Sequence, residues 1–317
     1  YNTVNSNQII AADVAPTSGF TSSWLNGGKM RNTGLEIVFN TTPIKKTLVW
    51  DASVNFTKQT TVVEELVGQF QYIGGGAGFN NGSNAAFQGY QYGVITSPQR
   101  LKRFGQDASD LTIRKDLPIE VDSLGNPILQ SAPRGFYIIG NPNPDWFAGI
   151  RNSFTYKGFY FSFLWDVRKG GDLINITRGS MNYFGTHKDT ETRNEAVVLP
   201  NSVKSDGTPN TTPVTKNAAY YNRLGENATV GELWIEDGSW VRLRELTLKY
   251  NFSEAFIQKA FMKNLSLAFT ARNLLLFTGY SGIDPETNAA GNDPSLGKDA
   301  FNMPNTRSFL LTLNATF

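Results

Sequence analysis

Four carboxylate side chains are grouped in one Gly- and Asn-rich stretch, and carboxylates are the groups that bind hard cations such as Ca²⁺. They are Asp284, Glu286, Asp293 and Asp299, within GYSGIDPETNAAGNDPSLGKD. Their spacing differs from that of an EF-hand calcium loop. Because Asp and Pro also shape solvated turns, the sequence favours a solvated loop with no cofactor, and a Ca²⁺ site is the alternative.

A catalytic set is not evident in the sequence. His187 is the single histidine, and the chain contains no cysteine. A general base needs a nucleophile beside it, and the surrounding GTHKDTETR supplies none. The Gly-rich stretch IGGGAGFNNGSN lacks the Gly-Lys-Ser/Thr of a phosphate-binding loop. We therefore predict that the protein is not an enzyme, and we assign no catalytic, cofactor-binding or metal-binding residue.

Aromatic side chains set among Gly, Asn, Gln and Ser are the strongest candidates for binding. Aromatic faces beside amides give a large contact area with sugars or peptides at low entropic cost. The same rings could instead pack the loops against one another or against a partner protein. The candidates for ligand or partner contacts are Tyr90, Tyr92, Tyr183, Phe184, Tyr220 and Tyr221, with Phe79 and Phe87 in the same surroundings.

Composition favours strands, turns and aromatic surfaces. Charged residues make up 18% of the chain, below the roughly 25% of ordinary soluble proteins, and aromatic residues make up 13%. The net charge of +2 argues against a nucleic-acid partner. No apolar run approaches the roughly 18 residues of a membrane-spanning helix, and the opening YNTVNSNQII lacks the regions of a signal peptide.

The elements that must position these side chains are strands in which apolar and polar residues alternate. In residues 47–57, Trp50, Val54 and Phe56 lie on one face and Asp51 and Asn55 on the other, because strand side chains point to opposite faces in turn. Six further segments show the same alternation: 32–40, 145–156, 158–168, 239–252, 264–273 and 308–317. Asn152, Leu164 and Leu310 break it, and near Arg244 we expect the strand in 239–252 to leave the apolar environment.

The connections between these segments alternate in length. Short ones join the first to the second, the third to the fourth and the fifth to the sixth segment, whereas long ones cover roughly 58–145, 169–238 and 278–306. Strands of about ten residues with short turns at one end and long loops at the other are typical of an all-β, antiparallel transmembrane β-barrel. We expect lipid contacts for Trp50, Phe56, Phe161, Phe163, Phe269 and Leu313, and a lumenal position for Asp51, Asn55, Asp166 and Thr312. The charged residues Asp51, Asp166 and Arg168 then meet cargo or pair with neighbours across a wet wall.

Phe317 ends the last alternating segment, SFLLTLNATF. In the barrel interpretation it lies in the aromatic girdle at the periplasmic interface. A terminal aromatic residue on such a strand resembles the signal that bacterial outer-membrane proteins present for barrel assembly, and an ordinary edge strand ending in Phe is the alternative.

Several long stretches resemble SusC/RagA-type TonB-dependent outer-membrane transporters. They are residues 27–57, 161–186, 232–252, 267–288 and 302–317, which span most of the chain in order. The resemblance implies a barrel of about 22 strands closed by a plug, a SusD-like surface lipoprotein as lid, and energy from TonB with ExbB and ExbD. It also implies a bacterial outer-membrane location and import of oligosaccharides or peptides as cargo.

We expect residues 1–317 to be a C-terminal part of the barrel, without the plug and the TonB box. The aromatic candidates would then contact cargo or lid. Two other functions stay open at this point: a soluble all-β carbohydrate-binding module, and a structural or secretion barrel without active import. Cargo identity depends on loops, plug and lid together and does not follow from the sequence.

Overall fold

The computed structural model describes residues 1–13, 17, 19, 22–67, 70–73, 82–133, 135–224, 230–259, 261–289 and 296–317. Among the sequence candidates, Phe79, Asp293 and most of the Gly-rich stretch at 73–84 lie outside these residues.

The secondary structure is dominated by strands, numbered along the chain. They are β1 (Asn2–Asp13), β2 (Ser22–Lys45), β3 (Leu48–Leu66), β4 (Phe70–Ile73), β5 (Ser83–Phe87), β6 (Val94–Ser97), β7 (Gln99–Leu101), β8 (Ile119–Val121), β9 (Leu129–Ser131), β10 (Tyr137–Gly140), β11 (Trp146–Tyr156), β12 (Phe159–Lys169), β13 (Asp172–Asn175), β14 (Ala196–Val197), β15 (Ser202–Lys204), β16 (Val214–Thr215), β17 (Ile235–Asp237), β18 (Trp240–Asn251), β19 (Asn264–Thr278), β20 (Lys298–Asp299) and β21 (Ser308–Thr316). The helices are α1 (Ile176–Tyr183), α2 (Ala218–Leu224) and α3 (Glu254–Lys259), with 3₁₀ turns at Lys188–Thr190 and Gly231–Trp234. Within the described ranges, no helix combines the length and the apolar character that a membrane crossing demands.

Eight strands form one antiparallel sheet, here called the wall. Its order is β1-β2-β3-β11-β12-β18-β19-β21, so each strand pairs with the next one of the set along the chain. Seven of these strands were predicted from alternation. The eighth, β1, was not predicted. Its register with β2 shifts around Gln8, and Asn7 has a φ of 57°; both features interrupt the alternation.

The wall strands fall into two length classes. β11 and β12 each have 11 residues, which at about 3.3 Å per residue and a tilt of about 40° gives a height of about 28 Å. β2 with 24 residues and β3 with 19 are longer than predicted. The first long loop therefore begins after Leu66 and not at residue 58, since KQTTVVEE continues the pairing with polar side chains on both faces and carries no apolar alternation.

The two faces of the wall have different chemistry. On the apolar face, the ring of Phe154 stacks on Trp50 at 5.9 Å between centroids and on Phe161 at 6.3 Å, and Phe269 stacks on Phe309 at 6.2 Å. On the polar face, Glu245 forms ion pairs across the sheet with Arg272 at 3.4 Å and Arg151 at 3.9 Å, and the Thr247 and Thr270 hydroxyls are 3.0 Å apart. Asn152, the polar exception on the apolar face, accepts a hydrogen bond of 2.9 Å from Trp50 Nε1.

A β-bulge at Arg244 corrects the prediction for β18. Leu164 pairs with Glu245 whereas Trp165 pairs with Leu243, so Arg244 is an extra residue in the ladder. Since a bulge shifts the alternation by one residue, Val241 and Leu243 share the apolar face with Leu246 although their parity differs. The sequence suggested that the strand leaves the apolar environment near Arg244. Instead, its apolar face continues beyond the bulge to Val241.

The long loops fold into a second unit, the loop layer, with its own buried core. One cluster joins residues from two loops, Ile95, Tyr137, Ile139, Ile174, Ile176 and Trp234, and Ala300 from the third loop packs against it. The fully buried Arg100 lies 4.1 Å from the centroid of the Tyr137 ring. Its guanidinium donates to the carbonyl oxygens of residues 107, 110 and 112 and to the Gln130 side chain. The loop segments are therefore held in fixed positions relative to one another.

Candidate functional site

Helix α1 carries the first group of candidate residues and is fixed at its N-terminus. The Asn175 side chain caps the helix by accepting a 2.9 Å hydrogen bond from the Arg178 backbone N–H. The Arg178 guanidinium donates to Asp189 at 2.7 and 3.1 Å and to Glu236 at 3.2 Å. Glu236 also accepts from the backbone N–H and the hydroxyl of Ser281, each at 2.7 Å. These contacts tie α1 to the rest of its own loop and, through Glu236, to Ser281 of the third long loop.

Two acidic groups around Arg178 have perturbed pKa values. Burial acts to raise the pKa of Asp189, but the hydrogen bond and charge of Arg178 outweigh it and hold that pKa below its usual range. For Glu236, burial also acts upward, and the hydrogen bonds from Ser281, Asn175 and Arg178 lower the pKa overall. Both carboxyls are therefore ionised at neutral pH and bind Arg178 as a charge-assisted pair.

Four of the six candidate aromatics meet where α1 contacts α2. Tyr183 and Phe184 are perpendicular, with centroids 5.0 Å apart, and Tyr220 and Tyr221 are perpendicular at 5.3 Å. The Tyr221 hydroxyl donates to the Asp189 carbonyl oxygen at 3.3 Å. Phe184 is 69% exposed. The sequence therefore identified residues that are 37 positions apart but lie together.

Two cavities border Tyr221, one on each side. The first, of about 300 Å³, is lined by Tyr183, Phe184, Arg193, Asn194, Asn217 and Tyr221 among others. The second, of about 290 Å³, is lined by Arg178, Asp189, Lys216, Tyr220, Leu233 and Trp234 among others. Trp234 is 8% exposed, and its indole N–H has no hydrogen-bond partner in the described part of the chain.

Tyr90 and Tyr92 do not join this group. Tyr90 packs against the core around Phe87, with ring centroids 6.4 Å apart, and its carbonyl oxygen accepts from the Val63 N–H. The Tyr92 ring packs against the buried cluster of Val63, Leu66 and Ala86. Both residues fasten the first loop to the upper part of β3, and their contact with a ligand or partner stays a prediction.

A cluster of arginines and carboxylates on the polar face was missed by the sequence analysis. Arg242, 3% exposed at its side chain, pairs with Asp284 at 2.6 Å and with Glu286 at 2.8 Å. Arg244 donates to both Glu286 oxygens at 2.7 and 3.0 Å and to Asp166 at 2.8 Å. The sequence did contain a signal for this cluster. Arg242 and Arg244 occupy positions that the alternation assigns to apolar residues, which indicates either a polar environment or a bulge.

The contacts of several charged candidates are now visible, while the absence of a cofactor stays a prediction. Asp284 and Glu286, considered as Ca²⁺ ligands, have arginine partners, and Asp299 accepts from the hydroxyls of Tyr280 and Thr177. In the described ranges no three potential metal-binding side chains come together. Of the lumenal candidates, Asp166 pairs with Arg244, Arg168 donates to the Pro142 carbonyl at 2.7 Å, and Asp51 accepts from Thr42 at 2.6 Å. They pair with neighbours.

A third cavity, of about 290 Å³, lies beside this cluster. Its lining includes Asn55, Phe147, Gly149, Asp166, Trp240, Arg244 and Glu286. The Trp240 indole N–H is buried and, among the described residues, has no partner. Phe317 lies elsewhere, at the short-turn end of the wall, and is 73% exposed. Its role in assembly stays a prediction.

Comparisons with known proteins fit this geometry. No family profile matches the chain. TonB-dependent receptor P3 of Formosa agariphila is 26% identical over 336 residues, covering 100% of this chain and 32% of the receptor. TonB-dependent receptor P39 of the same species is 25% identical over 336 residues, covering 95% and 32%. The chain thus spans about a third of the length of the curated relatives it matches.

Solved structures give the fold. The structure of the RagAB peptide transporter matches with a TM-score of 0.65 at 18% identity, covering 100% of this chain and 32% of that chain. The RagAB peptide importer in its open-open state gives 0.66 at 19%, again over 100% and 32%. The resemblance to TonB-dependent transporters is confirmed along the whole chain, and the wall is a portion of a transmembrane β-barrel of the bacterial outer membrane. In such barrels the apolar face meets lipid and the polar face lines the lumen.

Proposed function

We propose that this chain is the C-terminal barrel portion of a protein that actively imports nutrient oligomers through the outer membrane, with TonB, ExbB and ExbD as the energy source. A SusD-like lipoprotein acts as its lid. The match of the whole chain to TonB-dependent receptors carries this proposal. Transport is the function proposed, since the proteins that the chain resembles are receptors and transporters.

The loop layer supplies the contact surface for cargo. Cavities on both sides of Tyr221 offer aromatic area, amides and charges of both signs. This mixture favours peptides over neutral oligosaccharides, because Lys216 and Arg193, which line the cavities and form no ion pair among the described residues, match the carboxyl groups of peptides. The RagAB structures are named as those of a peptide transporter, which supports the same cargo class.

The direct test is uptake by the full-length protein after Tyr221→Ala. We expect peptide uptake to fall about tenfold at limiting peptide concentration, with an unchanged amount of folded protein in the outer membrane, because one side of each cavity is lost. Phe104→Ala is the control, since Phe104 is an exposed loop aromatic outside both cavities. Unchanged uptake in Tyr221→Ala would remove the cavities from the cargo path.

Removal of TonB separates active import from the remaining alternative, a structural or secretion barrel. We expect cells without TonB to retain surface binding of peptide and to lose its accumulation. Accumulation without TonB would contradict the proposal. The soluble carbohydrate-binding module is set aside because the chain is part of an outer-membrane wall.

A further inference from the structure

Two lysines flank a tryptophan in one row of the lipid-facing side. Trp146 of β11 pairs with Lys169 of β12. On the other side of β11, the antiparallel pairing with β3 ends at the pair of Phe147 and Thr57. One residue further in each strand, Trp146 lies beside Lys58. Lys58 follows Phe56, and Lys169 follows Val167, by two positions each, so both lysines share the face of the apolar residues below them.

This row marks the upper boundary of the apolar band. Below it, the Trp146 ring contacts Phe56 at 5.8 Å between centroids. Above it, on β2 and β3, the paired side chains change to Thr33 with Thr60 and Arg31 with Val62. β12 ends at Lys169 and is followed by a long loop, so the row lies at the extracellular edge of the membrane, where Trp is favoured.

The charges of these lysines are not neutralised by close partners. Both side chains are exposed, and within the described residues neither forms an ion pair. By contrast, Lys29 and Arg31, higher on the same hairpin, pair with Glu64 and Glu65. Asp237, whose pKa the charge of Lys169 helps to lower, accepts two hydrogen bonds from Ser239 and forms no ion pair with the lysine.

We propose that Lys58, Trp146 and Lys169 form a binding site for the phosphate-bearing headgroup of a lipid in the outer leaflet. The lysines are two strand spacings apart, about 10 Å, and their flexible four-carbon stems allow both ammonium groups to reach one phosphate or two adjacent phosphates. The apolar band beneath supplies the surface for the acyl chains. The site is independent of cargo, since it lies on the opposite face of the wall.

The test measures lipid binding to the purified full-length protein in mild detergent by native mass spectrometry. The probes are diphosphoryl lipid A, dephosphorylated lipid A and inorganic phosphate. For the double variant K58Q/K169Q we expect about 30-fold weaker binding of diphosphoryl lipid A, which corresponds to about 1 kcal/mol for each lysine at an anionic membrane surface. The control K46Q/K263Q removes the same charge from exposed lysines at the short-turn edge and should bind like the wild type.

Four results would overturn the proposal, three of them from the lipid-binding comparison itself. They are equal binding of phosphorylated and dephosphorylated lipid by the wild type, unchanged binding in K58Q/K169Q, or an equal loss in K46Q/K263Q. Competition by inorganic phosphate at concentrations similar to those of the lipid would also contradict it, because it would assign the site to a free anion. The double variant K58R/K169R keeps both positive charges and should bind like the wild type. That result would show that K58Q/K169Q binds weakly because it lost charge and not because it misfolded.

Discussion

Arg242 and Asp284 illustrate how a single residue pair fixes a loop on the wall. The pair is buried at both side chains, and Asp284 also accepts from the backbone N–H groups of Glu286 and Asn305. A buried ion pair contributes little net stability compared with apolar residues of equal size, but removing one partner leaves an unpaired buried charge. The Arg242–Asp284 ion pair therefore holds the third long loop over the lumen. Removing either partner should destabilise this attachment.

Arg242→Met should lower the free energy of unfolding by about 3–5 kcal/mol in detergent, because Asp284 is left buried and unpaired. The double variant Arg242→Met/Asp284→Leu should be clearly more stable than the single one. Denaturant titration of the full-length barrel provides the measurement. Arg114→Met is the control and should change nothing measurable, since Arg114 pairs with Asp116 in solvent. A single variant as stable as wild type would show that the pair does not hold the loop.

Helix α1 is a short element whose stability depends on charged contacts. Its eight residues are too few for independent stability, and Arg178 links it to Asp189 and Glu236. The pKa values of these two carboxyls are lowered in the folded protein. A lowered folded-state pKa adds stability that is fully present above the unfolded-state pKa and is lost as the pH falls through the folded-state pKa.

Acidification should therefore loosen α1 before it affects the wall. We expect protection of the α1 amides in hydrogen exchange, corrected for the intrinsic rate, to fall as the pH drops below about 4, while the β12 amides stay protected. Arg178→Met should reduce this pH dependence, since Asp189 loses the partner that lowers its pKa, whereas Glu236 keeps the hydrogen bonds from Ser281 and Asn175. Equal pH dependence in wild type and Arg178→Met would contradict the assignment.

The strands were predictable from sequence wherever alternation was uninterrupted, and unpredictable where it was broken. β12 shows a regular pattern because each residue faces either lipid or lumen, whereas β1 and β18 contain register shifts that interrupt the alternation. The packing of the loop layer could not be predicted from the sequence, for a different reason. Arg100 is buried by contacts with residues 107 to 137. Tyr183 meets Tyr221 only when the second long loop folds back on itself. Composition alone therefore identified the candidate aromatics but not their grouping.

At the scale of the whole molecule, the wall is an incomplete barrel. Its outer strands β1 and β21 each have one edge without a partner in the described sheet. Backbone groups in hydrocarbon must be hydrogen-bonded, since each unsatisfied group costs several kcal/mol. This agrees with the match of the wall to about a third of a larger barrel.

The central claim is that one face of the wall contacts lipid and the other contacts water. The chain contains no cysteine, so single cysteines can be introduced along β12, at each position from 159 to 169, in the full-length protein with any cysteines elsewhere replaced. A nitroxide label on each one, in protein reconstituted into lipid vesicles, reports its accessibility to oxygen and to a water-soluble nickel chelate. We predict a two-residue period, with oxygen accessibility high at 161, 163 and 165 and nickel accessibility high at 160, 164 and 166. Accessibility that is uniform along the strand, or that has the opposite phase, would contradict the account.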